Sequence, residues 1–199
     1  CLHGSRNLPE KVEAVIDEYL DVLGLKDLKR TGWEIYNVQD PETVASHSWS
    51  VATLTMIHLP EELEMEKALK IALIHDIGES EIGDIPYRSE KDHGREDKEE
   101  KEAEAVRNLS ESLTEELFDL WKEYEDRESS EAKFVKDMDL IDLCLQALKY
   151  ESEDRYEGNP ETDFEGLDEF FETSRDRFNT EKGLDLFRKI EEKYLKEKA

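Results

Sequence analysis

Apolar residues return at the three- and four-residue steps of an α-helix in almost every segment of this 199-residue chain, and nowhere do they alternate far enough to make a strand. From Pro9 to Leu23, one side of a helix collects Val12, Val15, Ile16, Tyr19, Leu20 and Leu23 as a buried face, with Pro9 suited to the first turn and Gly24 to the stop. Thr43 to Leu59 aligns His47, Val51, Leu54 and His58, and Met65 to Ile77 aligns Ala68, Ile71, Ala72 and His75. Glu131 to Tyr150 carries a stripe of Phe134, Met138, Ile141, Leu145 and Leu148, with Asp139 beside it. Further helices are expected over 96–109, over 114–124 with Ser112 and Glu115 spaced as a capping box, and over 167–178 and 180–195 after the Asn159-Pro160 turn. The breakers Gly32, Asn37 and Asp40-Pro41 make 25–46 a short helical turn and a loop. Gly83, Pro86 and Gly94 make the segment 79–97 an exposed loop. With no repeat and no Pro/Ser-rich linker, the expected fold is one all-α domain over residues 9–199, preceded by a disordered start or added remnant at 1–8.

Charge narrows the function. With 53 acidic against 27 basic residues the formal charge is −26, so no basic face is expected for a nucleic-acid polymer or an anionic membrane surface. The charged residues sit on the outer faces of amphipathic helices, which ordinary solubility explains as well as a high-salt habitat does. No run reaches membrane-spanning length, and CLHGSRNLPE lacks the regions of a signal peptide, so a cytoplasmic protein is expected. Two cysteines, Cys1 and Cys144, offer neither a disulfide framework nor a CxxC metal pair.

The residues able to carry chemistry are His47, the pair His75-Asp76 and Asp139. Composition alone yields about 0.45 His-Asp dipeptides by chance, so the pair means little without its setting. That setting is the end of an unusually apolar helix, where a desolvated imidazole and carboxylate need compensation, and a divalent cation supplies it. Imidazole and carboxylate without thiolate suit Mn²⁺, Co²⁺, Ni²⁺, Fe²⁺ or Zn²⁺, with water positions left open. Taken singly, the same residues also read as a helix cap at His47, a satisfied core histidine at His75 and a lysine partner at Asp139.

Three stretches, LKRTGW followed by NVQDPETVASHS, HDIGESEIGDIP, and SSEAKFVKDMDLI, agree in order and local sequence with one family. Over about residues 27–179 the chain resembles the HD-domain metal-dependent phosphohydrolases, and more narrowly their 5'-deoxynucleotidase branch. That resemblance implies a helical HD-domain bundle with the metal site between helices. His47, His75, Asp76 and Asp139 match the metal ligands, and the ion is one of Mn, Co, Ni, Fe, Zn or Mg. Glu79 matches the acidic residue that handles the proton of the attacking water or of the departing sugar oxygen. Asp84, in the shared GDIP pattern, matches the second acidic residue of the pocket, ahead of its neighbour Glu81. Arg30 matches the arginine that grips phosphate. Trp33 corresponds to an aromatic involved in sugar selection, although Thr31-Gly32 separate it from the arginine where bacterial members have the two adjacent.

The implied activity is metal-dependent hydrolysis of 2'-deoxyribonucleoside 5'-monophosphates to deoxynucleoside and phosphate, by a homodimer, in nucleotide metabolism. Triphosphate or cyclic-nucleotide hydrolysis and a catalytically weak nucleotide-sensing or adaptor role are the alternatives. His58 lies about three turns from His47, too far to share an ion, and His3 and His93 read as terminus and loop residues. Lys136 suits either a phosphate contact or a salt bridge one turn from Asp139.

Overall fold

The computed structural model describes residues 8–85, 95–161 and 166–198, with side chains starting at Val15 and, after the first gap, at Glu99. The expectations for residues 1–7, for Val12 on the first helix face, and for Pro86 and His93 in the loop lie outside the described residues or side chains. Ten α-helices run in order among the described residues: α1 (Leu8–Leu23), α2 (Thr31–Ile35), α3 (Val44–His58), α4 (Met65–Ile74), α5 (Glu79–Ile82), α6 (Arg95–Ser112), α7 (Glu116–Asp126), α8 (Ser130–Ser152), α9 (Asp168–Ser174) and α10 (Glu181–Lys198). Extended pairing among them is limited to one antiparallel bridge, Lys29 with Thr43. That bridge closes the 25–46 loop and brings α2 back beside the start of α3, with Arg30 N–H on the Glu42 carbonyl at 3.0 Å.

Helix α8 is the axis, packed by α3, α4, α7, α9 and α10. Its expected stripe is buried at Phe134, Met138, Ile141 and Leu148 and partly buried at Leu145. Asp137, fully buried on another side of α8, caps the start of α10 by accepting from Asn179 N, Thr180 N and Thr180 Oγ1 at 2.6–2.8 Å. Gly183 lies directly against that carboxyl group, where any Cβ would collide with it. A second apolar cluster joins Leu25, Val44, Ile77, Val106, Leu109, Leu117 and Trp121. His47, one turn beyond Val44, and His75, between Ala72 and Ile77, therefore sit along the seam between the two cores.

Four local expectations are corrected. Residues 79–82, expected to open an exposed loop, form α5 with Glu79 buried. The face read as buried on α1 is exposed at Val15, Ile16, Tyr19 and Leu20, because periodicity shows that a helix side is apolar and not that its own chain covers it. Ser112 makes no capping box. α6 runs on through it, its hydroxyl donates to Glu18 at 3.3 Å, and Glu115 caps α7 without a side-chain bond. The apolar helix from Met65 ends at Ile74 rather than Ile77, and residues 75–78 turn the chain into α5. Gly78 allows that turn, since a Cβ there would meet Glu102 and Val106 of α6 at 2.9 Å.

Candidate metal centre and cleft

The start of α3 is fixed by a reciprocal cap: Thr43 Oγ1 accepts from Ser46 N at 3.2 Å and Ser46 Oγ from Thr43 N at 2.9 Å. One turn later His47 points into the seam, fully buried. His75 follows the last turn of α4, and its Nδ1 lies 2.9 Å from the Ala72 carbonyl. A carbonyl only accepts, so Nδ1 carries the proton and Nε2 presents a lone pair. Asp139 arrives from α8 and Asp76 from the turn after His75.

These four side chains converge. His47 Nε2 is 3.3 Å from His75 Nε2, 3.2 Å from Asp139 Oδ1 and 3.6 Å from Asp76 Oδ2, and His75 Nε2 is 3.3 Å from Asp76 Oδ2. Atoms about 2.1 Å from one ion lie about 3.0 Å apart along an octahedral edge and about 3.4 Å apart along a tetrahedral one. Burial opposes ionisation of Asp76, but His75, Arg30 and His47 outweigh it and hold the carboxyl well below its usual range. Asp139 is held down in the same way by Lys136, His47 and His75. Burial and Arg30 pull His47 toward neutrality, yet Asp139 and Asp142 push its pKa up to about 10. Ligand atoms of His47, His75 and Asp139 all lie within 4.8 Å of one another, and Asp76 Oδ2, paired with Arg30, approaches both imidazoles, so the N/O donor set fits a divalent cation.

Asp76 and Asp139 of the cluster line a cleft of about 630 Å³ together with Arg30, Glu79, Asp84 and Trp33. Arg30 Nη1 donates to Asp76 Oδ2 at 3.0 Å. Glu79 opens α5, is 5% exposed, and bonds the Asp76 carbonyl through its backbone N–H at 3.1 Å. Asp84 accepts from Thr31 N, and its carbonyl accepts from Thr31 Oγ1 at 2.8 Å, which ties the 83–85 segment to the residue after Arg30. Glu81 is exposed and faces Glu18, Asp21 and Glu104. Trp33 is 1% exposed, its indole N–H donates to Glu42 at 2.8 Å, and Phe170 covers it at a ring separation of 4.2 Å. Lys136 pairs with Asp139 at 2.7 Å. His58 ends α3, where its carbonyl accepts from Lys182.

Sequence reasoning did not single out Tyr124, which donates to Asp139 at 2.9 Å, or Asp142, Ser50, Glu42 and Phe170. Asp142 carried one signal: it stands three residues after Asp139, on the same face of α8.

No described helix is long and apolar enough to cross a membrane. The HD domain family matches residues 22–178. The human 5'-deoxynucleotidase HDDC2 is 33% identical over 194 residues, spanning 95% of this chain and 87% of the relative. The Dictyostelium discoideum 5'-deoxynucleotidase HDDC2 is 36% identical over 173 residues, spanning 81% and 89%. The crystal structure of the PH0347 protein from Pyrococcus horikoshii superposes with a TM-score of 0.73 at 33% identity, covering 89% of this chain and 99% of that one. With its buried His/Asp cluster set between helices, the chain belongs to the HD-domain family, in the branch of these 5'-deoxynucleotidases.

Proposed function

We propose that this chain is a divalent-metal-dependent phosphomonoesterase that hydrolyses 2'-deoxyribonucleoside 5'-monophosphates. The observation that carries this reading is the convergence of His47, His75, Asp76 and Asp139 at 3.2–3.6 Å beside a cleft that also holds an arginine and a buried glutamate. The cleft volume falls in the range of small-ligand sites. His47, His75, Asp76 and Asp139 hold the ion, which when bound lowers the pKa of water and neutralises phosphate charge.

Arg30 grips the phosphoryl group with its planar donors, kept in place by Asp76 and the Asp84–Thr31 tie. Glu79 takes a proton from the attacking water as its oxygen bonds to phosphorus, and delivers one to the 5' oxygen as the P–O bond breaks. Asp84 fixes the pocket wall around Arg30, and Trp33, with Phe170 over it, backs the sugar. The ion is any of Mn²⁺, Co²⁺, Ni²⁺, Fe²⁺, Zn²⁺ or Mg²⁺, and the N/O donor set leans toward the first five.

The working unit is a homodimer in the cytoplasm. Helix α3, VASHSWSVATLTMIH, has no Asp, Glu, Lys or Arg in a chain that is 40% charged, yet Trp49, Met56 and Ile57 are exposed along it. An uncharged apolar stripe on a strongly acidic surface suits a second identical stripe. The free, buried thiol of Cys144 suits a reducing compartment.

The test is phosphate release from deoxy- and ribonucleoside mono-, di- and triphosphates, using chelated protein reloaded with each metal. Release from deoxynucleoside monophosphates, abolished by chelation, is the expected result. Release of pyrophosphate or triphosphate instead, or no turnover with any metal, overturns the proposal.

A further inference from the structure

Both nitrogens of His47 are occupied, and by two aspartates of one helix. Nε2 faces the converging cluster, with Asp139 Oδ1 at 3.2 Å, while Nδ1 lies 2.7 Å from Asp142 Oδ2. Asp139 and Asp142 are three residues apart on α8, so one helix face delivers a carboxylate to each side of the ring. Asp142 is 3% exposed, and its second oxygen accepts from the hydroxyl of Ser50, one turn beyond His47 on α3. Helix α3 thus presents a ring and a hydroxyl to a single carboxylate.

Glu42 also approaches this side, its carboxylate lying within 4.8 Å of the His47 and Asp142 ligand atoms. A cation shared between Nδ1 and Asp142 would hold the two atoms about 3.0–3.4 Å apart, as ligands of one ion are. The observed 2.7 Å is the length of a charge-assisted N–H···O bond. Glu42 instead accepts the indole N–H of Trp33. The two histidines therefore differ in their backing: His75 leans on a neutral carbonyl, His47 on a buried anion.

We propose that Asp142, held by Ser50, is a positioning residue of the metal centre: it keeps the proton on Nδ1 of His47, aims Nε2 at the ion and strengthens that nitrogen as a donor. This rests on the metal-centre reading above, and the two fail separately. Undiminished metal binding in Asp139→Ala overturns the ligand set, whereas the Asp142 variants test only the backing.

The experiment titrates Co²⁺ into chelated wild-type, Asp142→Leu, Asp142→Asn and Ser50→Ala proteins. It follows heat and the visible Co²⁺ absorption, and records the thermal midpoint of each metal-stripped protein. Asp142→Leu should bind Co²⁺ about 100-fold more weakly with an altered band, and Asp142→Asn, which still accepts the Nδ1 proton, about 10-fold more weakly with the wild-type band shape. Ser50→Ala should fall between wild type and Asp142→Asn. A merely structural role lowers the thermal midpoint but leaves the affinity and band of the folded protein unchanged, and that result in Asp142→Leu overturns the proposal. Where Asp142→Leu does not fold, Asp142→Asn decides, and wild-type affinity in that variant overturns the proposal.

Discussion

The Asp76 oxygen that accepts from Arg30 Nη1 at 3.0 Å is the same oxygen that lies 3.6 Å from His47 Nε2 and 3.3 Å from His75 Nε2. One carboxylate oxygen thus joins Arg30 to the His/Asp cluster. In a chain of net charge −26, that ion pair holds a cationic side chain in the cleft.

Arg30→Lys should therefore weaken all nucleotide substrates together. A lysine supplies the charge but not the paired donors that hold phosphate and Asp76 at once. A lost charge-assisted hydrogen bond is worth about 1.5–3 kcal/mol, or about 10- to 100-fold in kcat/KM. The measurement is kcat/KM for matched deoxy- and ribonucleotides. An unchanged value places the phosphate grip elsewhere, with Lys136 next in the cleft.

A Glu79 variant tests chemistry apart from metal binding. Glu79 lies beside the cluster as a buried residue of α5, so Glu79→Ala should retain the ion while turnover falls by about 10²- to 10⁴-fold, the range for a lost general acid or base. Metal analysis of the purified variant checks this. A metal-free variant would make Glu79 a ligand.

The cluster was legible where its chemistry follows local sequence and illegible where it depends on packing between helices. His75-Asp76 at the end of an apolar helix stands out because a desolvated charged pair there needs a partner, whereas His47 and Asp139 join it as ligands only through the resemblance to the HD-domain family. Asp142, Ser50 and Glu42 do not, because their roles depend on the rotation of α3 against α8 and on the return of the 25–46 loop, which periodicity leaves open. The exposed face of α1 shows the same boundary: its amphipathic pattern is real, but the pattern does not name the cover.

A proton and a metal ion compete for Nε2 of His47, whose pKa Asp139 and Asp142 push up to about 10 against burial and Arg30. Apparent Co²⁺ affinity should therefore climb as pH rises toward that value, by about tenfold per pH unit for each proton displaced. Stability of the chelated protein runs the other way. A folded-state pKa raised above the ordinary 6.5 contributes stability that is full below 6.5 and lost as pH rises through about 10. Co²⁺ titrations and thermal scans at stepped pH check both signs, and an affinity that ignores pH removes His47 from the ligand set.

Trp49→Glu tests the uncovered face of α3. Trp49 is 67% exposed, so the substitution should leave folding intact. Across a two-fold contact it sets acidic residues of both copies into the same buried interface, and the sedimentation mass should fall from dimer to monomer. A wild-type protein that sediments as a monomer at every concentration overturns the homodimer.

Sugar selection is tested through the aromatic wall. Trp33 is 1% exposed beneath Phe170, and its indole N–H is committed to Glu42, so Trp33→Ala would remove core packing worth about 3–5 kcal/mol and confuse selectivity with unfolding. Trp33→Phe is the cleaner variant. It keeps a smaller ring under Phe170 and deletes the N–H that anchors the wall to Glu42 together with part of the indole's volume, while Phe170→Ala removes the partly buried ring that lines the cleft. Both should change the ratio of deoxyribonucleotide to ribonucleotide kcat/KM, because selectivity is a difference between two transition-state free energies and the 2' substituent is where the substrates differ. Arg30→Lys should leave that ratio nearly fixed, since phosphate is common to both. A ratio unchanged in both aromatic variants removes this wall from sugar recognition and shifts selectivity to the polar residues of the cleft.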